Sequence, residues 1–277
     1  MAVSPAERRF ASVGDNCVDV YSGELEGERA GGNALNVAFE LLRSGWKCSY
    51  FGAVGNDERG ELIRASAGAA GINTEHVVTL DGPTGFTVIG HNAAGDRQFL
   101  EEDYGVAADY RIDEATAERL SEFAWIHLSR QADAAERAVQ LRSRGARLSC
   151  DFGEQQLGAR PDPLCSELEV AFFSLPDGDP ETAEKLATDA TEIGAGIGVV
   201  TMGPLGSVAV ADGQSWFAPA VEVAVVDSLG AGDAFIAAFI ADVVSDETIA
   251  DTIDAAARMG AEACTRVGLA ETTHSGE

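Results

Sequence analysis

The order of apolar runs and breakers predicts an α/β fold: a central, mostly parallel sheet flanked by helices, with a small β-structured excursion. Three observations carry this. Short β-rich runs alternate with helical periodicities along most of the 277 residues, the pattern of parallel strands joined by crossover helices. Glycines stand where helices should stop, Gly45 after residues 33–44 and Gly71 after residues 60–70. One stretch breaks the rhythm: residues 84–91 and 97–101 are two strand-like runs joined by the polar, Gly-containing segment 92–96, which reads as an inserted hairpin.

In chain order, residues 10–13 read as a buried strand ending at Gly14. A helix over 33–44, a strand over 48–54 and a helix over 60–70 follow. Strands are expected over 125–128, 147–152, 170–175 and 197–202, with helices over 134–143 and 180–193 between them. The last third offers short strands over 207–211 and 215–218, and an apolar strand over 221–226. Helices over 233–244 and 248–267 end the pattern. Residues 19–30 read as a second irregular excursion. No linker or internal repeat divides the chain, so one domain over 1–277 is expected.

The segment from Val226 to Ile236 carries the chemistry. A Gly230-Ala231-Gly232 turn is followed at once by Asp233 and an apolar helical run. Small residues let backbone amides approach a ligand, and the helix start aims free N–H groups and its positive dipole end at the same point. A carboxylate beside an anion hole is poorly placed unless it handles a proton. The combination points to phosphoryl transfer to an alcohol, with Asp233 taking the hydroxyl proton and the amides holding charge on the transferred group. Taken alone, Gly-x-Gly-Asp equally describes a tight turn with a helix-capping acid. A second cluster, Gly14-Asp15-Asn16-Cys17-Val18-Asp19, leaves the first strand at its C-terminal end, where open α/β sheets bind ligands. Its carboxylates and amide can read the hydroxyls of a polyol, or form an Asx-rich turn.

Composition excludes several classes. Net charge is −27, with 46 acids against 19 bases, which disfavours nucleic acid and anionic lipid as partners. An acid-rich, lysine-poor chain also fits a salt-rich cytoplasm, while a GC-rich genome accounts for arginine over lysine. The longest apolar run, 234–241, is too short to cross a membrane, and residues 1–9 lack a secretory apolar segment; a cytoplasmic location is expected. Five scattered cysteines match no zinc or disulfide framework. Lysine occurs only at Lys47 and Lys185, in neither case within Gly-Lys-Ser/Thr, so any nucleotide triphosphate is bound without a Walker A loop.

Three strings share one resemblance. Asp227-Ser228-Leu229-Gly230-Ala231-Gly232-Asp233 resembles the C-terminal signature of the ribokinase-like (PfkB) sugar kinases. Ala30-Gly31-Gly32-Asn33-Ala34-Leu35-Asn36-Val37-Ala38 is similar to their N-terminal signature, and Val200-Thr201-Met202-Gly203-Pro204-Leu205-Gly206-Ser207 to their nucleotide-site segment. The resemblance covers essentially the whole chain. It implies a ribokinase-like fold with a small β-lid formed by the two excursions, about 19–30 and 84–103, and a homodimer through that lid as one arrangement. It implies ATP and Mg2+ as cofactors and a small sugar or sugar-amine as acceptor. By position, Asp19 and Asn36 would grip sugar hydroxyls, Gly31 and Gly32 would let the sugar lie on backbone, and Asn33 falls where relatives vary. Asp15 and Arg97 are further acceptor-side candidates. Thr201, Gly203, Gly206 and Ser207 would border the phosphates and ribose, with Ala257, Gly260 and Cys264 near adenine.

The N-terminal strings look most like the fructoselysine 6-kinase branch, which phosphorylates fructosamine adducts of amino acids. A related kinase for fructose, ribose or a nucleoside, or a non-catalytic sugar- or nucleotide-binding regulator on the same fold, are the alternatives. One family motif is missing. Where relatives carry Asn-x-x-Glu to organise magnesium, this chain reads Ser174-Leu175-Pro176-Asp177-Gly178-Asp179. Asp177, Asp179 and Asp151 are the acidic candidates for that role.

Overall fold

The computed structural model describes residues 9–21, 26–91, 97–129 and 134–267, and for residues 91, 97, 98, 134 and 135 the backbone alone. A nine-stranded sheet forms the centre. Its strands in chain order are β1 (Arg9–Val13), β4 (Lys47–Val54), β5 (Asn73–Thr79), β8 (Trp125–Ser129), β9 (Arg147–Glu154), β10 (Val170–Ser174), β11 (Ile197–Thr201), β12 (Ser207–Ala211) and β13 (Gln214–Ala218). In space they run β13-β12-β11-β10-β9-β8-β1-β4-β5. Pairing is parallel from β11 to β5 and antiparallel for β11–β12 and β12–β13. Strand order therefore reverses at β1, between β8 and β4. Such a switch point opens a crevice at the C-terminal strand ends.

Helices cover both faces because the central strands are apolar on both. On β1, Phe10 packs with one core cluster and Ala11 and Val13 with the other; on β10, Phe172 and Phe173 part in the same way. The first cluster gathers α1 (Asn33–Arg43), α2 (Glu58–Ala70), α6 (Ala231–Val244) and α7 (Ile249–Ala263); the second gathers α3 (Glu114–Leu120), α4 (Ala134–Ser143) and α5 (Pro180–Ile193). Side-chain alternation on successive residues produces this two-faced burial.

A separate four-stranded sheet runs β3-β2-β6-β7, formed by β2 (Cys17–Tyr21), β3 (Gly27–Gly31), β6 (Thr84–His91) and β7 (Arg97–Gly105). The β6–β7 hairpin matches the expected insertion, and its tip, 92–96, lies outside the described residues. In the second excursion, residues 19–21 and 27–30 lie in strands: β2 and β3 pair antiparallel, and β2 joins β6 in parallel. Thr84 fastens this sheet to the main body. Asp57, the N-cap of α2, accepts from the Gly60 N–H (2.8 Å), the Thr84 N–H (2.8 Å) and the Thr84 hydroxyl (2.6 Å). Burial opposes ionisation of the Asp57 carboxyl, but these donors outweigh it and hold the group below its usual range.

Three sequence expectations need correction. No strand forms over 221–226: Val221 and Val225 are 42% and 66% exposed, and the Val226 and Asp227 N–H groups donate to the Cys264 carbonyl instead of a neighbouring strand. Strand β5 and helix α3 appear where the sequence pattern predicts no element. The final helix ends at Ala263, short of 267.

Asp57→Ala removes a helix cap and the anchor of Thr84 together. Loss of a cap alone costs about 0.5–2 kcal/mol, typically about 1, so chemical denaturation should show about 1 kcal/mol or more. A change below about 0.5 kcal/mol would mean that this junction does not hold the small sheet.

Candidate active site

The crevice at the strand-order switch is where the sequence-predicted residues meet. Asp15 follows β1, and its N–H donates to the Ser129 hydroxyl at the end of β8 (3.0 Å), tying the two sides of the switch together. The Asp15 carboxylate then accepts from the Asn33 N–H (2.9 Å) and the Ala34 N–H (3.3 Å). These amides open α1, which has no side-chain cap of its own. A carboxylate satisfies such orphan donors and complements the helix dipole.

The chain reaches α1 through Gly31 and Gly32. A Cβ on Gly31 would collide with the Asp19 carboxylate, and Gly32 sits at φ 104° with its α-hydrogen side against the Asn16 backbone. Only glycine fits both demands. The result brings Asp19, buried in β2, against the approach to α1.

Asn33 and Asn36 project from the first turn of α1 onto Asp233. The Asn33 amide donates to Asp233 Oδ1 (2.8 Å) and the Asn36 amide to Asp233 Oδ2 (2.8 Å). Asn33 also donates to Asp151 Oδ2 at the end of β9 (2.7 Å). Asp151, a metal candidate on sequence grounds, thus belongs to the same network as Asp233. Among the described residues no lysine or arginine contacts Asp15, Asp151 or Asp233. Burial pushes the Asp233 carboxyl up to about 8, with the negative charges of Asp151 and Asp15 adding, against the two asparagine donors. Burial, with Asp15 adding, likewise raises Asp151 to about 6, against the Gly153 N–H and Asn33 donors.

Asp233 lies in the first turn of α6. Gly230, left-handed at φ 80°, is its N-cap and offers no side chain. The Ala231 N–H bonds back to the Ser228 carbonyl (3.3 Å), and among the described residues no acceptor engages the Gly232 or Asp233 N–H. Gly232 is exposed. The turn thus presents free amides at a 14-residue helix start, the arrangement that receives an anion.

The residues that the resemblance assigns to a nucleotide lie further along the same strand-end edge. Thr201 closes β11, Gly203 and Gly206 bracket a single 3-10 turn, and Ser207 opens β12. Ser207 is buried, and among the described residues its hydroxyl has no partner. The Cys264 carbonyl accepts from the Val226 and Asp227 N–H groups, while Gly260 lies against the Ala231 carbonyl and the Phe235 side chain. Ala257 is a half-buried residue packed on the first core cluster. Arg97 begins β7, and its side chain lies outside the described residues.

The acidic candidates for magnesium differ in availability. Asp179 caps α5 by accepting from the Thr182 N–H (2.8 Å); Asp177 is exposed just after β10. Among the described residues no cluster of three or more His, Cys, Asp or Glu side chains is placed to hold a metal. Magnesium needs only one or two carboxylates beside phosphate oxygens and water. This donor set therefore suits an ion carried in with a nucleotide and not a protein cage.

Sequence reasoning placed Asp227 in the segment that carries the chemistry but missed its contact with Tyr21, and it missed Ser129. The Tyr21 hydroxyl donates to Asp227 Oδ2 (2.8 Å), although 206 positions separate them. A cavity of about 370 Å³ lined by Trp46, Asp242 and Met259 sits at the opposite ends of α1 and α6 and shares no residue with the crevice.

The architecture is that of the ribokinase-like fold: a ribokinase of Arabidopsis thaliana, solved with ribose and ATP, superposes with a TM-score of 0.79 at 20% identity, covering 94% of this chain and 93% of that one. The pattern of the pfkB family carbohydrate kinases matches residues 18–151 and 164–275. Fructoselysine 6-kinase of Escherichia coli (strain K12) is 33% identical over 233 residues, 84% of this chain and 88% of that protein. A fructosamine kinase of Bacillus subtilis (strain 168) is 30% identical over 259 residues, 92% and 90% of the two chains. The chain belongs to the pfkB family of carbohydrate kinases and is a sugar kinase. Among the described residues no helix is long and apolar enough to cross a membrane.

A carboxyl whose folded pKa lies above its unfolded value of 3.8 holds its proton more tightly when folded. The stability this contributes is fully present below the unfolded value and is lost as pH rises through the folded one. Asp233→Asn cannot ionise and escapes that loss. Its thermal midpoint, measured without nucleotide, should gain on the wild type between pH about 5 and about 8. The expected gain is roughly 2–4 °C, the scale of about 1 kcal/mol in a chain near this size. Parallel pH profiles for the two proteins would show that Asp233 is not shifted.

Proposed function

We propose that this sugar kinase transfers the γ-phosphoryl group of ATP to the 6-hydroxyl of a fructosamine such as fructoselysine, with Asp233 as general base. The observation that carries the reading is the grip of Asn33 and Asn36 on both oxygens of Asp233, at a helix start whose amides are free. The acceptor hydroxyl gives its proton to Asp233. A base whose pKa sits near the working pH combines an adequate ionised fraction with useful basicity. The Gly232 and Asp233 N–H groups and the α6 dipole hold charge on the transferred group. Asp19, Gly31, Gly32 and Asn36 hold the sugar, and the small sheet closes over it as a lid that excludes water. Thr201, Gly203, Gly206 and Ser207 border the nucleotide, with Ala257 and Cys264 on the adenine side and Gly260 allowing α7 to approach α6.

Magnesium, when bound with the nucleotide, neutralises phosphate charge. Asp177, the exposed acid after β10, would hold it directly or through water. One structural neighbour, a putative ribokinase II of E. coli, was solved in complex with ATP and Mg2+.

Two observations favour a fructosamine over a neutral sugar. Relatives similar to this chain include fructoselysine 6-kinases and a fructosamine kinase. The acceptor side also holds the carboxylates of Asp15 and Asp151 with no basic side chain against them among the described residues, an environment that stabilises the secondary ammonium of a fructosamine.

Turnover of ATP with fructoselysine, fructose, ribose and adenosine tests the acceptor. Fructoselysine should give the highest kcat/KM; a preference for a neutral sugar or nucleoside would move the protein to another branch of the family. On the preferred acceptor, Asp233→Asn should lower kcat by roughly 10²-fold or more, the scale of general-base loss, with ATP affinity retained. Charge-assisted hydrogen bonds are worth about 1.5–3 kcal/mol, so Asp19→Ala should raise the acceptor KM ~10-fold and leave the ATP KM nearly unchanged. If Asp15→Ala abolishes acceptor binding and Asp19→Ala does not, the grip belongs to the other carboxylate.

A further inference from the structure

A buried hydrogen bond joins the small sheet to the turn that opens α6. Tyr21 ends β2 on the strand that carries Asp19, and it is almost fully buried; so is Asp227. The Tyr21 hydroxyl donates to Asp227 Oδ2 (2.8 Å), and the other oxygen, Oδ1, accepts from the Leu229 N–H (2.9 Å). Leu229 directly precedes Gly230, whose left-handed conformation starts α6 and presents the free amides. One carboxylate is thus shared between the lid strand and the turn that receives the phosphoryl group.

The chemistry favours a fixed connection. Burial and the Asp227 carboxylate both push the Tyr21 phenol far above its ordinary range, so it remains a donor at any working pH. The Arg29 guanidinium lies 4.7 Å over the Tyr21 ring, which fixes the ring plane from β3. A hydrogen bond to a buried charged acceptor is among the stronger ones, and its loss leaves the acceptor poorly solvated.

We propose that Tyr21 is a positioning residue for phosphoryl transfer. Through Asp227 it couples the seating of the lid sheet to the geometry of the Leu229–Gly232 turn, so that the amides are aligned when β2 is in place over the acceptor. The inference rests on the reading that this turn receives the transferred group. It does not depend on which sugar is the acceptor.

Tyr21→Phe in the full chain keeps the ring and its stacking with Arg29 and removes only the donor. On whichever acceptor the wild type prefers, kcat should fall about 10-fold, with the ATP KM unchanged within twofold. Hydrogen exchange of the free protein should quicken about 10-fold at Leu229–Ala231, with the interior of α6 unchanged. Asp227→Ala is the second variant, because it removes the acceptors of both the Tyr21 hydroxyl and the Leu229 N–H. The double variant should be no slower than Asp227→Ala alone, since both changes break one connection. A kcat within twofold of wild type for Tyr21→Phe overturns the proposal, as do losses that multiply in the double variant. Faster exchange throughout the chain would show general destabilisation and overturns it as well. If Tyr21→Phe lowers kcat but Asp233→Asn does not, the base assignment fails and the coupling stands.

Discussion

The Asn33 side chain is the interaction on which the cleft depends. One amide group donates to Asp151 at 2.7 Å and to Asp233 at 2.8 Å, and the Asn33 backbone N–H donates to Asp15. Three carboxylates, from the end of β1, from β9 and from α6, are thereby held around one residue at the start of α1. Like charges this close repel, and in a half-buried cleft the repulsion is poorly screened. Neutral amide donors and two helix N-termini are what oppose it. The compensation is incomplete, which is why burial and mutual repulsion leave Asp151 near 6 and Asp233 near 8.

Such a cluster requires α1 to be placed accurately at both ends. At its start, Ser12 of β1 donates to the Ala34 carbonyl, and the Gly31–Gly32 turn seats the helix against Asp19 and Asn16. At its far end, buried Glu40 accepts from Arg43 (2.7 Å) and from Arg266 beyond α7 (2.9 Å). Breaking a buried pair is costly because it strands a charge, so this pair pins α1 to the α6–α7 layer. The direction of the Asn33 and Asn36 amides then follows from the helix and not from side-chain freedom. The same logic explains the strand-order reversal at β1: it leaves room for helix starts from different parts of the chain to face one another.

Much of this was legible in the sequence, and the exceptions have physical causes. Gly230-Ala231-Gly232-Asp233 stood out because a carboxylate beside free amides is an unusual placement. The helices α1, α2 and α5 were legible from runs closed by glycine, and α6 from its apolar run after the Gly-Ala-Gly turn. Strand β5 was not, since Asn73-Thr74-Glu75-His76 is a half-exposed edge with no apolar alternation. Helix α3, with seven residues, is too short to show a period. The valines of 221–226 misled because β-propensity measures fit to a half-buried pleated surface, and here they are exposed while the Val226 N–H pairs with the Cys264 carbonyl. Ser129, Tyr21 and Asp227 owe their roles to partners 114 or 206 positions away. No local pattern encodes such contacts. Asp151 was legible as an acid, but its link to Asp233 passes through Asn33 and exists only in three dimensions.

The unbalanced charge of the cleft has a further physical consequence. A carboxyl raised by burial and by like-charged neighbours is lowered again by any positive charge that enters beside it. Asp233 therefore holds its proton most firmly when the cleft is empty. A cationic group seated near Asp15 or Asp151, or a metal ion brought in with phosphates, favours the ionised form in which Asp233 can accept a proton. By linkage, the same ionisation strengthens the binding of that positive charge, because the two effects are one coupling free energy read from either side. In a chain of net charge −27, an anionic ligand finds no long-range attraction, so at this cleft the free amides of α6 are the group that could supply a local one. The acidic cleft and the open helix start are thus complementary halves of one arrangement, one suited to positive charge and the other to phosphate, with Asp233 at the boundary between them.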